Sequence, residues 1–210
     1  MREEKISVPC GDIQLEGLLS VQETLSIKGG VICCHPHPLY GGDMDNTVVA
    51  AGIEAASREG LFTLRFNFRG VGESGGSYGE GIEERKDVKA AIDFFVARLG
   101  SGNVPIILLG YSFGAWAAMP VAADDARVKG MVAISPPLDL YDFGFLKGCK
   151  KKKLLVAGNM DDYCPETRLQ AFYEHLDEPK TLMIIPGADH FYSFQDSALI
   201  KPLREFFRTF

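Results

Sequence analysis

The sequence lacks both a surplus of positive charge and any long apolar segment. Its 22 basic and 28 acidic side chains leave a net charge of -6, which argues against nucleic acid as a partner. No apolar run approaches the roughly 20 residues that a membrane helix needs. No apolar stretch follows the charged N-terminus, where a signal peptide would have one. We therefore expect a cytoplasmic protein without a membrane partner.

Cysteine and histidine are also scarce. The five cysteines are odd in number and match no zinc-binding spacing, so free thiols are expected. The four histidines form no cluster with acidic residues at ligand spacing, and we expect neither a metal nor another cofactor. Repeats and low-complexity linkers are absent too, so residues 1–210 are expected to form one domain, with no indication of its oligomeric state.

Strand and helix patterns alternate along most of the chain. Strands are predicted at residues 5–9, 13–20, 30–34, 61–68, 104–109, 130–135, 153–157 and 180–185. Helices are predicted at 44–58 with Asp43 as the cap, at 80–99, 115–119, 138–145 and 166–176, and within 191–210. This alternation predicts an α/β fold with a mostly parallel sheet and helices on both faces, plus an antiparallel hairpin at the N-terminus.

One motif stands at the centre of this pattern. Residues 110–114 read Gly-Tyr-Ser-Phe-Gly, between the apolar strand at 104–109 and a helix rich in alanine. A serine in such a place makes a sharp, strained turn, and the glycines at 110 and 114 avoid a collision with neighbouring backbone. The pattern predicts that the Ser112 hydroxyl is raised above the sheet edge at a helix N-terminus, rather than serving only as a helix cap.

A second glycine motif has a structural interpretation. Gly70-x-Gly72-x-x-Gly75 has the spacing of a dinucleotide fingerprint and follows a strand. However, further glycines at 76, 79 and 81 delay the helix that should open directly from it. A tight loop that borders the site is therefore predicted.

A serine nucleophile needs a base and a group that orients the base. His190 lies just past the last predicted strand, where a loop can hold a side chain over the carboxyl edge of the sheet. The acid should come from residues 158–165, after the preceding strand, which read Gly-Asn-Met-Asp-Asp-Tyr-Cys-Pro. His175 lies within a helix pattern and is predicted to be a surface residue.

Four motifs together resemble the α/β-hydrolase superfamily over essentially the whole chain. They are the elbow at Ser112, the 158–165 loop, Gly-x-Asp-His at 187–190, and Phe-Arg-Gly-x-Gly-x-Ser at 68–74. The order Ser, acid, His along the chain is that of this fold. The His-Pro-His-Pro-x-Tyr-Gly-Gly loop at 35–42 is similar to the small, lidless branch near dienelactone hydrolases. Those enzymes carry cysteine at the elbow, so Ser112 makes dienelactone chemistry doubtful and favours ester or thioester hydrolysis.

The resemblance implies a catalytic triad of Ser112, Asp161 and His190. Asp161 is fourth in its loop, where the superfamily places the acid, whereas Asp162 and Asp189 are not expected to orient His190. The oxyanion donors should be the backbone N–H of Phe113 and that of His37, with Leu39 next, since prolines 36 and 38 have no N–H. His35 is expected only to brace its loop.

The predicted substrate is a small molecule with an acyl group. Contacts to it are expected from Leu39, Tyr40, Tyr111 and Phe191. Residues 136–152 have room for one short helix and not for a lid, so we expect an open cleft that favours short acyl or aromatic groups. Two alternatives stay open: a serine peptidase or acyltransferase that uses the same triad, and a non-catalytic binding module on a hydrolase fold.

Overall fold

A single mixed sheet organises the molecule. The computed structural model describes residues 2–21, 28–100 and 104–210. Eight strands occur there: β1 (Arg2–Cys10), β2 (Ile13–Val21), β3 (Gly30–Cys34), β4 (Phe62–Phe66), β5 (Ile106–Tyr111), β6 (Val128–Ile134), β7 (Lys152–Gly158) and β8 (Lys180–Ile185). Their order is β1-β2-β4-β3-β5-β6-β7-β8. The pairs from β4 to β8 are parallel, while β1–β2 and β2–β4 are antiparallel, which confirms the predicted sheet and hairpin.

Helices cover both faces of this sheet, as predicted. They are α1 (Thr47–Arg58), α2 (Glu84–Leu99), α3 (Phe113–Asp124), α4 (Glu166–Glu174) and α5 (Ile200–Phe207). Buried side chains of α2, α3 and α4 share one hydrophobic core, and those of α1 and α5 share a second core on the opposite face. In the described residues, none of the helices combines the length and hydropathy needed to cross a bilayer.

Strand β5 lies between β3 and β6, near the middle of the sheet. All six of its residues are buried. Ile106 and Leu108 enter one core, whereas Ile107 and Leu109 enter the other, because successive side chains of a strand point to opposite faces. This double burial fixes the strand rigidly, and the residue that follows it is held at the centre of the sheet's carboxyl edge.

Two helices begin later than the sequence suggested. Asp43 does not cap α1: the Asn46 side chain accepts from the N–H of Val48 (3.0 Å), while Asp43 binds the N–H of Asp45 in the turn before it. Helix α2 begins at Glu84 and not at residue 80. The Glu84 carboxylate instead accepts the N–H groups of two glycines at positions 79 and 81, which holds the preceding segment as a loop.

The connection between β6 and β7 is short and nearly without helix. The helix expected at 138–145 is absent, and this part of the described chain contains only one turn of 3-10 helix, Gly144–Leu146. The expectation that no large lid covers the site is thereby confirmed. The last helix is also shorter than the predicted segment, since α5 follows a 3-10 turn at Asp196–Leu199.

Candidate active site

The turn between β5 and α3 has the geometry of a nucleophile elbow. Ser112 has a φ of 54°, in the left-handed region that residues with a Cβ rarely adopt. A Cβ on Gly110 would lie 2.5 Å from the Cα of Ala115, and one on Gly114 would lie 2.3 Å from the carbonyl oxygen of Cys34. Both positions therefore require glycine, and Ser112 stands half-exposed at the start of α3.

Three side chains from separate loops meet at this turn. The Ser112 Oγ lies 3.0 Å from His190 Nε2. On the other side of the ring, His190 Nδ1 lies 2.8 Å from Asp161 Oδ1 and 3.0 Å from its Oδ2. Asp161 and His190 are both buried. The arrangement lets the ring accept the serine proton on Nε2 while Nδ1–H donates to the carboxylate.

The Asp161 carboxylate is held as an anion in spite of its burial. Its Oδ1 also accepts the backbone N–H groups of Tyr163 (2.9 Å) and Cys164 (2.8 Å). Burial alone would raise the pKa of Asp161, but hydrogen bonds from His190, Ser135 and Cys164 hold that pKa below its usual range. A carboxylate that stays charged can stabilise the imidazolium form of its partner.

The other two candidate acids lie elsewhere. Asp162 is exposed, and Asp189 accepts from the backbone N–H (3.0 Å) and the hydroxyl (2.9 Å) of Ser193. Asp161 is thus the carboxylate that reaches His190 Nδ1, as its position in the 158–165 loop suggested.

Two backbone N–H groups on the segments beside Ser112 have no acceptor in the described part of the chain. The N–H of Phe113 is the first of α3, and neither it nor the N–H of His37 donates to any acceptor within the described residues. The His37 loop lies directly against the elbow, with the His37 and Phe113 rings 4.7 Å apart. Leu39, the second choice from sequence, is excluded as a donor because its N–H already donates to His37 Nδ1 (3.2 Å).

His35 braces this loop, as expected. It is fully buried, its Nδ1 contacts the carbonyl oxygen of Pro36 (2.7 Å), and its Nε2 accepts from the N–H of Phe68 (3.0 Å). Burial lowers the pKa of His35 to about 4, so the ring is neutral near pH 7. A neutral ring is what this pair of contacts requires, because one nitrogen donates and the other accepts.

Of the four residues expected to contact substrate, three line the rim of the site. Leu39, Tyr40 and Phe191 are 65%, 87% and 63% exposed. Tyr111 does not belong with them: it is 2% exposed, and its hydroxyl donates to the carbonyl oxygen of His190 (2.7 Å). Because it lies inside strand β5 and points into the sheet's core, Tyr111 supports the histidine loop and does not face the cleft.

Sequence reasoning missed three residues beside the site. Ser135 and Tyr192 form a buried hydrogen bond of 2.9 Å next to Asp161, and the Tyr78 hydroxyl lies 3.3 Å from His37 Nε2. Ser135 directly follows β6, the neighbour of the elbow strand, and that position at the carboxyl edge could have indicated it. Among the described residues, no group of three or more His, Cys, Asp or Glu side chains is arranged to hold a metal ion.

Comparison with known proteins agrees with this fold. The family described as serine aminopeptidase, S33, matches residues 47–148, and that described as PhoPQ-activated pathogenicity-related protein matches residues 136–210. Protein RP471 of Rickettsia prowazekii is 33% identical over 183 residues, which cover 83% of this chain and 76% of that protein.

Solved structures match almost the whole chain. An alpha-beta serine hydrolase homologue from Coxiella burnetii is 33% identical, covers 96% of both chains and superposes with a TM-score of 0.89. Protein XC6422 of Xanthomonas campestris, described as an a/b serine hydrolase without lid, is 26% identical over 99% of this chain and 94% of its own, with a TM-score of 0.87. The chain belongs to the α/β-hydrolase superfamily, and it is a hydrolase.

Proposed function

We propose that this chain is a serine hydrolase that cleaves small esters, with Ser112 as nucleophile, His190 as base and Asp161 as the acid that orients the base. The observation that carries the proposal is the unbroken line of contacts from Ser112 Oγ through both ring nitrogens of His190 to the buried Asp161 carboxylate. That line supplies an activated hydroxyl, a place for its proton and a charge that stabilises the protonated ring.

The reaction has two stages. First, Ser112 Oγ bonds to the acyl carbon as its proton passes to His190 Nε2, and the bond to the alcohol breaks as Nε2 returns that proton to the leaving oxygen. Water then gives a proton to Nε2 and attacks the acyl carbon, and Ser112 leaves with the proton restored. The backbone N–H groups of Phe113 and His37 are the proposed donors to the oxyanion in each stage.

A small panel of acetyl and amino-acid derivatives tests this function. We expect turnover of p-nitrophenyl acetate and little or none of amino-acid naphthylamides. If the naphthylamides are cleaved in preference to the ester, the protein is a serine peptidase and the proposed esterase function is wrong. Faster loss of the acetyl group when an alcohol is added, with the alcohol's acetate as product, would indicate an acyltransferase. No turnover and no labelling by a fluorophosphonate would favour the non-catalytic alternative.

The open rim predicts a preference for short acyl chains. The residues around the site are exposed loop side chains, with Leu39, Tyr40, Leu140 and Phe191 each more than 60% accessible, and no lid covers them. We expect rates on p-nitrophenyl esters to fall from acetate to palmitate, with no jump at the micelle threshold. A preference for palmitate, with a rate increase where micelles form, would contradict the prediction.

Acidic residues dominate the loops that surround the site. The loops at 35–46, 67–83, 135–143, 159–165 and 186–199 contain one basic residue, Arg69, and two or more acidic residues each. Arg69 is itself occupied by Asp87 (2.6 Å) and Glu83 (3.0 Å). Burial raises the pKa of Tyr78, and the nearby carboxylates of Glu84 and Glu80 raise it further. An anionic substrate would therefore approach against a negative potential.

This charge distinguishes between kinds of thioester. We expect kcat/KM for the uncharged S-phenyl thioacetate to exceed that for acetyl-CoA, whose phosphates are repelled, by about tenfold or more at low salt. The ratio of the two kcat/KM values should fall as the sodium chloride concentration rises to 0.5 M, since salt screens repulsion between exposed charges. Equal use of the two thioesters at low salt would show that the acidic loops do not select the substrate.

A further inference from the structure

Five described residues other than glycine have a positive φ; one of them belongs to the proposed triad and two lie beside it. Ser112 (φ 54°) is explained by the elbow, but Ser135 (φ 47°) and Tyr192 (φ 53°) are not part of it. Backbone in this region is costly for residues with a Cβ and persists where the surroundings impose it, often beside a functional site. The two strained residues contact each other through their side chains, which calls for a physical reason.

The charge of Asp161 suggests which of these two hydroxyls donates. The Ser135 and Tyr192 hydroxyls lie 2.9 Å apart, where either oxygen could donate, and Ser135 is also among the groups that lower the pKa of Asp161. A carboxylate only accepts, so a hydrogen bond between Ser135 and Asp161 would use the single Ser135 hydrogen. In that arrangement Tyr192 donates to Ser135 Oγ, its one side-chain hydrogen-bond partner among the described residues.

We propose that Ser135 and Tyr192 are positioning residues, which act through Asp161 to fix the orientation of His190 for proton transfer from Ser112. The proposal rests on the triad proposed above and extends it to a chain of five side chains. In it Tyr192 donates to Ser135, Ser135 donates to Asp161, His190 Nδ1–H donates to Asp161, and Ser112 donates to His190 Nε2.

Burial restricts the motion of the Ser135 and Tyr192 side chains in this hydrogen-bond chain. Ser135 is fully buried and Tyr192 is 1% exposed, so water cannot replace either partner. The backbone N–H of Ser135 donates to the carbonyl oxygen of Val156 in β7 (2.7 Å), which ties the serine to the strand that precedes Asp161. Tyr192 is two residues from His190, so its hydrogen bond to Ser135 links the loop that supplies the base to the loop after β6. Ser135 thus connects the histidine loop to β7, the strand that precedes Asp161.

Two substitutions test this chain of hydrogen bonds with little change in side-chain shape. Tyr192→Phe removes one oxygen, and Ser135→Ala removes the hydroxyl. We expect Ser135→Ala to lower kcat on p-nitrophenyl acetate by about tenfold or more with KM little changed, the scale of one lost hydrogen bond to a charged group. Tyr192→Phe should lower kcat less, by about threefold. The double variant should be no slower than Ser135→Ala, since Tyr192 acts only through Ser135.

The pH dependence of kcat/KM is a second measurement. It would not change if Ser135 only stabilised the fold. A carboxylate with one donor fewer holds a protonated ring more strongly, so the acid limb of kcat/KM should shift to higher pH in Ser135→Ala. The other titratable groups around Asp161 are the phenols of Tyr111 and Tyr192 and the thiol of Cys164. Burial and the Asp161 charge raise the pKa of all three, so they stay uncharged across the assay range.

Tyr173→Phe is the matched control, because its hydroxyl donates to the Lys180 carbonyl oxygen (3.2 Å), away from the triad. We expect it to keep wild-type kcat and pH profile. The rate of labelling by a fluorophosphonate should fall in parallel with kcat in the two test variants. Wild-type kcat and an unshifted acid limb in both, or losses that add in the double variant, would overturn the positioning role. If Ser135→Ala does not fold, the kcat and the labelling rate of Tyr192→Phe decide whether the positioning role holds.

The proposed function and the positioning role fail in different ways. If Ser112→Ala keeps wild-type turnover, or if the wild type neither turns over esters nor is labelled, the triad itself is wrong and the positioning role falls with it. If Ser112→Ala is inactive while both positioning variants behave as wild type, only the extension to Ser135 and Tyr192 is wrong.

Discussion

Ser112→Ala and His190→Ala should each lower kcat on p-nitrophenyl acetate by about 10³-fold or more, because nucleophile and base act as one unit. The double variant should be scarcely worse than either single variant for the same reason. Ser112→Ala should stay folded, since Ser112 is half-exposed and its Oγ is hydrogen-bonded only to His190 among the described residues. His190→Ala should also stay folded, because the Asp161 carboxylate keeps the N–H groups of Tyr163 and Cys164. Circular dichroism and the melting temperature check this, and initial rates check the activity.

Matched controls exist for both substitutions. Ser193→Ala removes an exposed hydroxyl that donates to Asp189 (2.9 Å), and His175→Ala removes an exposed ring at the end of α4. We expect both to keep wild-type turnover. A Ser112→Ala protein as active as these controls would remove Ser112 from the mechanism.

Asp161→Asn should lower kcat by about 10³- to 10⁴-fold, the scale observed when the orienting acid of a serine triad is changed to its amide. The amide NH₂ can donate to His190 Nδ1, which favours the tautomer with hydrogen on Nε2. That ring cannot accept the Ser112 proton. The measurement is kcat on p-nitrophenyl acetate from pH 6 to pH 9.

Asp162→Asn and Asp189→Asn are the controls, because one side chain is exposed and the other binds Ser193. Each should stay within about threefold of wild type, the usual range for surface changes away from a site. A loss in Asp162→Asn as large as that in Asp161→Asn would mean that the loop rearranges in solution.

The elbow and the triad could be predicted because each depends on local chemistry. Gly110 and Gly114 flank Ser112 at points where the structure leaves no room for a Cβ, so the glycine spacing carries the geometry of the turn. The 158–165 loop was indicated by its place after a strand, since the carboxyl ends of neighbouring parallel strands lie at one sheet edge, and the resemblance to the superfamily selected Asp161 within it. The same rule would have indicated Ser135, which follows the strand between those of Ser112 and Asp161.

Other features depend on contacts between distant parts of the chain, which spacing does not reveal. Tyr111 is adjacent to the nucleophile in sequence, yet strand alternation turns its ring into the core, where it binds the His190 carbonyl. The start of α2 depends on the Glu84 side chain accepting two glycine N–H groups in the loop before it. Leu39 is unavailable as an oxyanion donor because its N–H donates to His37 Nδ1, a contact that the sequence does not reveal.

Peptide mapping after reaction with a fluorophosphonate tests the central claim most directly. The claim is that one residue, Ser112, forms the covalent intermediate with the help of His190. We predict a single modified peptide with the phosphonyl group on Ser112, no modification of Ser112→Ala, and labelling of His190→Ala slower by about 10³-fold or more. A label on any other residue, or ester turnover by a protein that is not labelled at Ser112, would contradict the account.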